Sequence, residues 1–177
     1  FFFQAEDGIR DVAVTEFRRV LFRSLLALCE LLIPQTTLLL VSADELSRLA
    51  ETWRDPSEEI MIEVDAQQII EFGCEYLLVT GAPGEAQHVT NLLFSEEGLQ
   101  RSMNWPRLTG PFAGAGNTLS ATVAAMLANG LDVPQAVAEA EDFTNAALTH
   151  AQRLGMGKLV PDRFFWARDT GAEFPEA

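Results

Sequence analysis

The sequence has little positive charge for its length. Its 177 residues carry 26 acidic and 12 basic side chains, a net charge of −14, and Lys158 is the only lysine. Nucleic acids and anionic membranes are bound by clustered basic residues, so we expect neither as a partner. A phosphate ligand remains compatible with this charge, because backbone N–H groups at a helix N-terminus can bind it.

Cysteines and long apolar runs are also scarce. Cys29 and Cys74 lie far apart in apolar surroundings, and neither has the nearby cysteine or histidine of a metal site. We expect reduced thiols in the core of a cytoplasmic protein, with a disulfide between them as the alternative. No apolar run reaches the roughly 18 residues that a membrane-spanning helix needs.

The first 24 residues differ in character from the rest. The stretch "FFFQAEDGIRDVAVTEFRRVLFRS" spreads its charges throughout and lacks the apolar core of a signal peptide. It resembles translated sequencing-adapter sequence, and a poorly ordered natural tail is the alternative. We therefore expect a non-native extension over 1–24, one domain over 25–167 and a tail over 168–177.

Apolar runs separated by turn residues predict alternating helices and strands in the first half. A helix over 25–34 should stop at Pro34, and buried strands are expected over 36–42 and 75–81. Two amphipathic helices are predicted between these strands, and Leu46, Leu49 and Ala50 share one face of the first. Ser42 or Asp44 is expected to cap the first of them.

The second half begins with a predicted hairpin, "HVTNLLF" and "LQRSMNWPRL" around the turn "SEEG". A small-residue helix from about 117 to 129 should follow, and then a helix from Asp132 to about Leu154. The stretch "GMGKLVPDRFFWA" is expected to be a loop, in which Phe164, Phe165 and Trp166 pack rather than hold an adenine ring. This order predicts an α/β fold with a mostly parallel sheet flanked by helices. The strands are fewer than a complete doubly wound sheet contains, as in the second half of a larger fold.

The stretch "PFAGAGNTLS" is the strongest candidate for a binding site. Gly114 and Gly116 permit a tight turn and the close approach of a ligand. A helix that begins there directs its free N–H groups and the positive end of its dipole into the turn, where they would stabilise an anion. Such a glycine pair alone is a weak signal, because it also occurs where a loop enters a closely packed helix.

Several segments, in order, resemble one family. "GCEYLLVTG", "HVTNLLF", "GAGNTLSATVAAMLANGLDVPQAVAEA" and "RLGMGKLVPDRFFWA" are similar to the hydroxymethylpyrimidine/phosphomethylpyrimidine kinases, members of the ribokinase-like superfamily. The resemblance covers residues 25–167 and corresponds to the C-terminal half of such a kinase. It implies part of a three-layer sandwich and ATP-dependent phosphorylation of hydroxymethylpyrimidine and its monophosphate in thiamine biosynthesis. It also implies Mg²⁺ as cofactor and a homodimer when full length.

The resemblance assigns roles to the glycine turn. Gly114, Ala115 and Gly116 would form an anion hole for the transferring phosphate. Asn117 occupies the position of the residue that takes the proton from the substrate hydroxyl, where the family has cysteine or aspartate. A neutral amide cannot accept that proton, so we expect a slow kinase, or one in which phosphate or water accepts it. The alternative is that Asn117 is simply a helix N-cap.

Four further residues are candidates outside the turn. The resemblance places Thr80 and Gly81 against the nucleotide phosphates and Glu45 near the Mg²⁺–phosphate cluster. The residues before Glu45 depart from the family pattern, which weakens the metal assignment. Lys158, in "GMGKLV", is the only lysine in the chain and could approach a nucleotide phosphate.

Two other functions remain open. One is a related ribokinase-like kinase that acts on pyridoxal-type compounds or sugars. The other is a non-catalytic pyrimidine- or nucleotide-binding protein, for which Asn117 is the best argument. Because the resemblance does not extend to most of the family's substrate-binding half, we expect the chain as given to be inactive.

Overall fold

The computed structural model describes residues 23–55, 57 and 59–168. The extension expected over 1–24 therefore lies outside the described residues except for its last two. The expected tail lies outside them except for Arg168.

A helical segment opens the described chain. It is α-helical from 23 to 27, π-helical over Leu28–Leu32 and 3₁₀-helical over Ile33–Gln35. Pro34 was predicted to stop this helix but lies inside its last turn. A proline is tolerated there because Pro34 is one of the first residues of the 3₁₀ segment, where a backbone N–H has no acceptor within that segment.

Two parallel strands form the first part of the sheet. Strand β1, Leu38–Ser42, pairs with β2, Tyr76–Ala82, with Leu38 opposite Tyr76 and Ser42 opposite Thr80. Both predicted strands are confirmed. Because the pairing is parallel, the two strands end at the same edge of the sheet.

Two helices cover these strands. Helix α1, Ala43–Ala50, buries Leu46, Leu49 and Ala50, as predicted. Helix α2, Ile62–Glu71, buries an acidic residue, Asp65, which receives two hydrogen bonds from the Arg54 guanidinium. A buried carboxylate needs such a partner, so this ion pair is structural.

The predicted hairpin is present. Strand β3, His88–Ser95, and strand β4, Gly98–Pro106, are neighbours joined by a two-residue turn, which makes them antiparallel. The sheet order is β1-β2-β3-β4, so among the described residues β1 has one unpaired edge. The expected fold class, a helix-flanked α/β sheet, is confirmed.

Two long helices follow. Helix α3, Ala115–Ala128, begins two residues before the predicted start, because the bond from Thr118 N–H to Gly114 C=O closes its first turn. Helix α4, Val133–Thr149, is capped by Asp132, whose carboxylate accepts from the Gln135 N–H at 2.9 Å. It ends five residues before the predicted end. Within the described residues no helix is long and apolar enough to cross a membrane.

The chain after α4 contains more structure than the expected loop. Gln152–Arg153 and Leu159–Val160 form two short antiparallel strands, β5 and β6, and Phe165–Arg168 forms a short helix, α5. This pairing ends α4 early, since residues 152–153 cannot be helical and pair with β6. The aromatic residues here were expected to pack. Phe165 does, against Phe143 and His150, whereas Phe164 is 67% and Trp166 57% exposed.

The described residues divide into two compact units. The first takes the residues up to Ala82 together with Asn91–Ser102, and the second takes Pro83–Thr90 and the residues from Met103 on. The apolar core of unit 1 is formed by side chains from its strands and from its helices. It is centred on Leu46, Ile69, Leu77 and Val79. Unit 2 packs α3 against α4 through small residues.

Candidate functional site

The N-terminus of α3 lacks a side-chain cap. Gly114 is the N-cap, with φ of 90°, and no side chain accepts a hydrogen bond from the first turn. The first intrahelical bond is the one from the Thr118 N–H to Gly114 C=O, at 2.9 Å. The N–H groups of Ala115, Gly116 and Asn117 therefore have no acceptor within the helix. Together with the helix dipole, these groups favour an anion.

Asn117 is the third residue of α3 and is exposed. The interpretation that it caps the helix is therefore wrong, because the N-cap is Gly114. The backbone C=O of Asn117 accepts from Ser120 Oγ at 3.3 Å, and its side-chain amide has no hydrogen-bond partner in the described part of the chain. That amide can orient a neighbouring group but cannot take up a proton.

A positively charged side chain, that of Arg163, also lies beside this helix end. The Arg163 Nε donates to Thr118 Oγ1 at 3.1 Å, and Thr118 Oγ1 donates to Gly114 C=O at 2.9 Å. A Cβ added to Gly114 would lie 3.3 Å from Arg163 Nη2. Sequence reasoning did not single out Arg163. It is 45 positions from Thr118, and no local pattern records that contact.

Backbone pairing fixes the segment that leads into the turn. The Leu159 N–H donates to Pro111 C=O at 2.9 Å, and the Ala113 N–H donates to Leu159 C=O at 2.8 Å. These bonds place β6 alongside residues 111–113. Lys158 is exposed and directly precedes Leu159, so the structure brings this candidate into the same part of unit 2 as the turn.

Thr80 and Gly81 lie in unit 1, at the carboxyl end of β2. Thr80 Oγ1 donates to Val41 C=O at 3.4 Å, and the Gly81 N–H donates to Asn91 Oδ1 at 3.0 Å. Gly81 has φ of 68°, and a Cβ there would meet no atom within 4 Å. Carboxyl ends of parallel strands are the usual ligand-binding edge of an α/β sheet. Because the Gly81 N–H is already bonded to Asn91, a ligand here would contact Gly81 on the side where it has no side chain.

Glu45 lies at the same edge but has a structural partner. Its Oε2 accepts from the Ser42 N–H at 2.8 Å and from Ser42 Oγ at 2.9 Å, and Ser42 Oγ accepts from the Glu45 N–H. This is a capping box. The hydrogen bond from the Ser42 backbone, followed by that from its hydroxyl, lowers the pKa of Glu45.

The described residues do not fit a protein-built magnesium site. They contain no group of three or more His, Cys, Asp or Glu side chains that could hold a metal ion. One oxygen of Glu45 is also committed to Ser42. A magnesium ion would have to take most of its ligands from nucleotide phosphates and water.

Each unit also has an open cleft. In unit 2, a cleft of about 310 Å³ is lined by Gly84, Glu85, His88, Thr90 and Asn104. Thr90 Oγ1 donates to Asn104 Oδ1 at 2.7 Å, and His88 contacts Glu85 at 3.1 Å. In unit 1, a cleft of about 450 Å³ lies at the start of β2, the end opposite Gly81.

Both cysteines are buried and free, and lie in unit 1. Burial raises the pKa of the Cys29 and Cys74 thiols. The expectation of reduced core thiols is confirmed, and their environment gives neither one nucleophilic character.

The fold is shared with solved structures of small-molecule kinases. The pyridoxal kinase of Bacillus subtilis, solved as an ADP complex, superposes with a TM-score of 0.71 at 24% identity, over 82% of this chain and 55% of that one. A putative phosphomethylpyrimidine kinase from Bacteroides thetaiotaomicron superposes with a TM-score of 0.57 at 16% identity, over 73% and 45%. At these identities the likeness establishes the fold.

The family follows from sequence. A phosphomethylpyrimidine kinase family profile matches residues 14–162, and the chain belongs to this family. The match begins inside the segment 1–24. The hydroxymethylpyrimidine/phosphomethylpyrimidine kinase of Salmonella typhimurium is 32% identical over 130 residues, which is 73% of this chain and 48% of that protein. The Rhizobium meliloti protein of the same name is 34% identical over 101 residues, 57% and 38%. This chain thus spans at most about half the length of these relatives.

Proposed function

We propose that this chain is the nucleotide-binding part of an ATP-dependent kinase that phosphorylates hydroxymethylpyrimidine and its monophosphate in thiamine biosynthesis. Family membership supports the phosphotransferase class. The names of the matched relatives support the pyrimidine substrate. Cytoplasmic location, expected from the reduced thiols, and a homodimer when full length, implied by the resemblance, remain predictions.

The observation that carries this proposal is the uncapped N-terminus of α3. Its free N–H groups belong to Ala115, Gly116 and Asn117, and the family resemblance assigns this stretch to the transferring phosphate. Phosphoryl transfer depends mainly on positioning and on stabilising the charge of the phosphoryl oxygens. Fixed N–H dipoles supply that stabilisation without rearranging during the reaction.

In the proposed reaction, the substrate hydroxyl oxygen bonds to the γ-phosphorus of ATP as the bond from that phosphorus to the β,γ-bridging oxygen breaks. ADP leaves, and the hydroxyl proton must pass to an acceptor. Asn117 orients the hydroxyl through its amide, and the proton passes to a phosphate oxygen or to water. General-base help is worth about 10²–10⁴-fold, so turnover is slow. Mg²⁺ would enter with the nucleotide and neutralise phosphate charge.

Three of the other candidate residues are proposed to contact the nucleotide. The family resemblance assigns Thr80 and Gly81 to the nucleotide phosphates, and the open space beside Gly81 at the carboxyl edge of β2 supports this assignment. Lys158 is assigned to phosphate because its neighbour Leu159 pairs with the segment before the turn. Glu45 is assigned to α1 capping rather than to a metal.

A pyridoxal-type substrate is the second candidate. Its support is the set of pyridoxal kinases among the solved structures of this fold, including a Staphylococcus aureus complex with AMP-PCP and pyridoxal at 20% identity, TM-score 0.69. A version of the kinase extended to the length of its relatives should be assayed with hydroxymethylpyrimidine and with pyridoxal. A larger kcat/KM for pyridoxal would overturn the pyrimidine assignment.

The nucleotide assignment is tested on the chain itself. We expect the ATP analogue AMP-PCP, which keeps a γ-phosphate, but not adenosine, to shift the backbone amide NMR signals of Ala115, Gly116 and Asn117. The amide of Asn129, at the other end of α3, is the internal control. AMP-PCP binding that leaves the three signals unchanged would remove the turn from the proposal. A folded chain that binds no ADP would refute nucleotide binding altogether.

A further inference from the structure

We propose that Arg163 is a phosphate-contacting residue of the nucleotide site, held in position by Thr118. The inference rests on the proposed function, because the phosphate is that of the proposed nucleotide. The match to the family profile ends at residue 162, so the assignment of Arg163 comes from the contacts of this chain.

The Arg163 side chain is exposed and is held beside the turn by one side-chain hydrogen bond. Arg163 Nε donates to Thr118 Oγ1 at 3.1 Å, and Thr118 is 2% exposed. The backbone before Arg163 is anchored as well, since the Asp162 N–H donates to Ala147 C=O at 2.9 Å. Leu159 is bonded to both Pro111 and Ala113. The Arg163 side chain is therefore anchored to the same helix end as the turn.

Its location opposes the ordinary electrostatics of a helix. Cations stabilise the C-terminal end of a helix, and anions stabilise the N-terminal end. Arg163 Nη2 lies 3.3 Å from the Cβ position of Gly114, which is the N-cap of α3. A guanidinium placed there adds to the positive potential of the free N–H groups. The repulsion between the guanidinium and the free N–H groups is replaced by attraction when an anion binds between these groups.

The contact also leaves donors for a ligand. The bond to Thr118 uses Nε, and among the described residues it is the hydrogen bond that the Arg163 side chain makes. The Nη groups keep their N–H donors, and a guanidinium can give two parallel bonds to a phosphate. Thr118 Oγ1 keeps an acceptor in Gly114 C=O whether or not Arg163 is present.

A phosphate role and a purely structural role predict opposite results for Arg163→Gln. If Arg163 binds phosphate, the dissociation constant of ADP rises at least about tenfold, as expected for losing a charge-assisted hydrogen bond. That of adenosine stays unchanged wherever it is measurable. The ligand-free chain keeps its Tm or gains slightly, because a cation leaves the positive helix end. If Arg163 only holds the turn, Tm falls and ADP affinity follows it.

Calorimetric titration and thermal unfolding of the chain would decide between these roles. Arg153→Gln is the matched control, because it removes the same charge from an exposed position of unit 2. Thr118→Val should reproduce part of the affinity loss through misplacement of Arg163, and Thr118→Ser should restore it. Equal ADP affinity in Arg163→Gln and Arg153→Gln would overturn the inference while leaving the proposed function intact. If the folded wild type binds no ADP, both fail.

Discussion

The N-termini of two helices in this chain differ in whether a side chain accepts hydrogen bonds from the first turn. Helix α1 has a complete capping box, in which Ser42 and Glu45 satisfy each other's backbone N–H groups. Helix α3 begins at Gly114 without any side-chain acceptor and has the Arg163 guanidinium beside it. The first end is satisfied by the chain, whereas the second keeps its donors and its positive potential. The difference separates an end built for stability from one available to a ligand.

The largest effect should come from filling the turn of α3. Gly114→Val places a β-branched side chain at φ of 90° and 3.3 Å from Arg163 Nη2. We expect a loss of about 1–3 kcal/mol in unfolding free energy from the backbone strain, with loss of ADP binding. Urea unfolding and ADP titration would measure both. Gly98→Val is the control, because Gly98 also has φ of 90°, lies outside the turn, and a Cβ there meets no atom within 4 Å; it should lose stability but keep its ADP affinity. An unchanged stability in Gly114→Val would show that the turn relaxes freely.

Removing a cap should cost less. Asp132→Ala deletes the acceptor for the Gln135 N–H at the start of α4, and we expect about 1 kcal/mol of destabilisation. The loss should appear in urea unfolding without any change in ADP affinity. Asp142→Ala, an exposed change within α4, serves as the control. A matching loss in that control would assign the effect to helix propensity or charge rather than to capping.

The capping box of α1 should depend on pH. The pKa of Glu45 is lowered in the folded state by hydrogen bonds from Ser42. Its contribution is therefore present above the unfolded pKa, near pH 4.3, and is lost as pH falls through the lower folded pKa. We expect Glu45→Gln to reduce stability at pH 7 by a few tenths of a kcal/mol, about the size of a helix-terminus charge effect. Urea unfolding of both proteins between pH 7 and pH 2.5 should show the gap closing. A gap that widens with acid would contradict the assignment.

A comparably small change in stability should come from charging the two ends of α3. Asn117→Asp should stabilise the chain by about 0.3–1 kcal/mol at pH 7, and Asn129→Asp at the C-terminal end should destabilise it by a similar amount. Thermal unfolding would record both shifts. In a full-length kinase, Asn117→Asp or Asn117→Cys should also raise kcat severalfold by restoring a base. An unchanged or lower kcat would count against that role for position 117.

The sequence predicts what depends on local pattern. Apolar spacing identifies β1 and β2, and the inward residues Leu46 and Leu49 of α1. Capping residues mark the starts of α1 and α4, at Ser42 and Asp132. Each of these signals operates within a few residues, so it is visible without knowing the rest of the fold.

What the sequence does not predict depends on distant contacts. Glycine at 116 argues against a helix on propensity, yet α3 includes it because Thr118 bonds back to Gly114. Strands β5 and β6 have two residues each, too few for a periodic pattern. The contact between Arg163 and Thr118 spans 45 positions. A chain with many possible long-range pairs gives no local indication of which one forms.

The two cysteines allow the opening of unit 1 to be followed by thiol labelling of the unmodified chain. Cys29 and Cys74 are the only thiols in the sequence, and both lie buried in unit 1 with raised pKa values. A thiol reagent should therefore react at a rate set by local opening of that unit rather than by intrinsic thiol chemistry. Because unit 2 contains no cysteine, labelling kinetics would follow the opening of unit 1 while unit 2 stays silent.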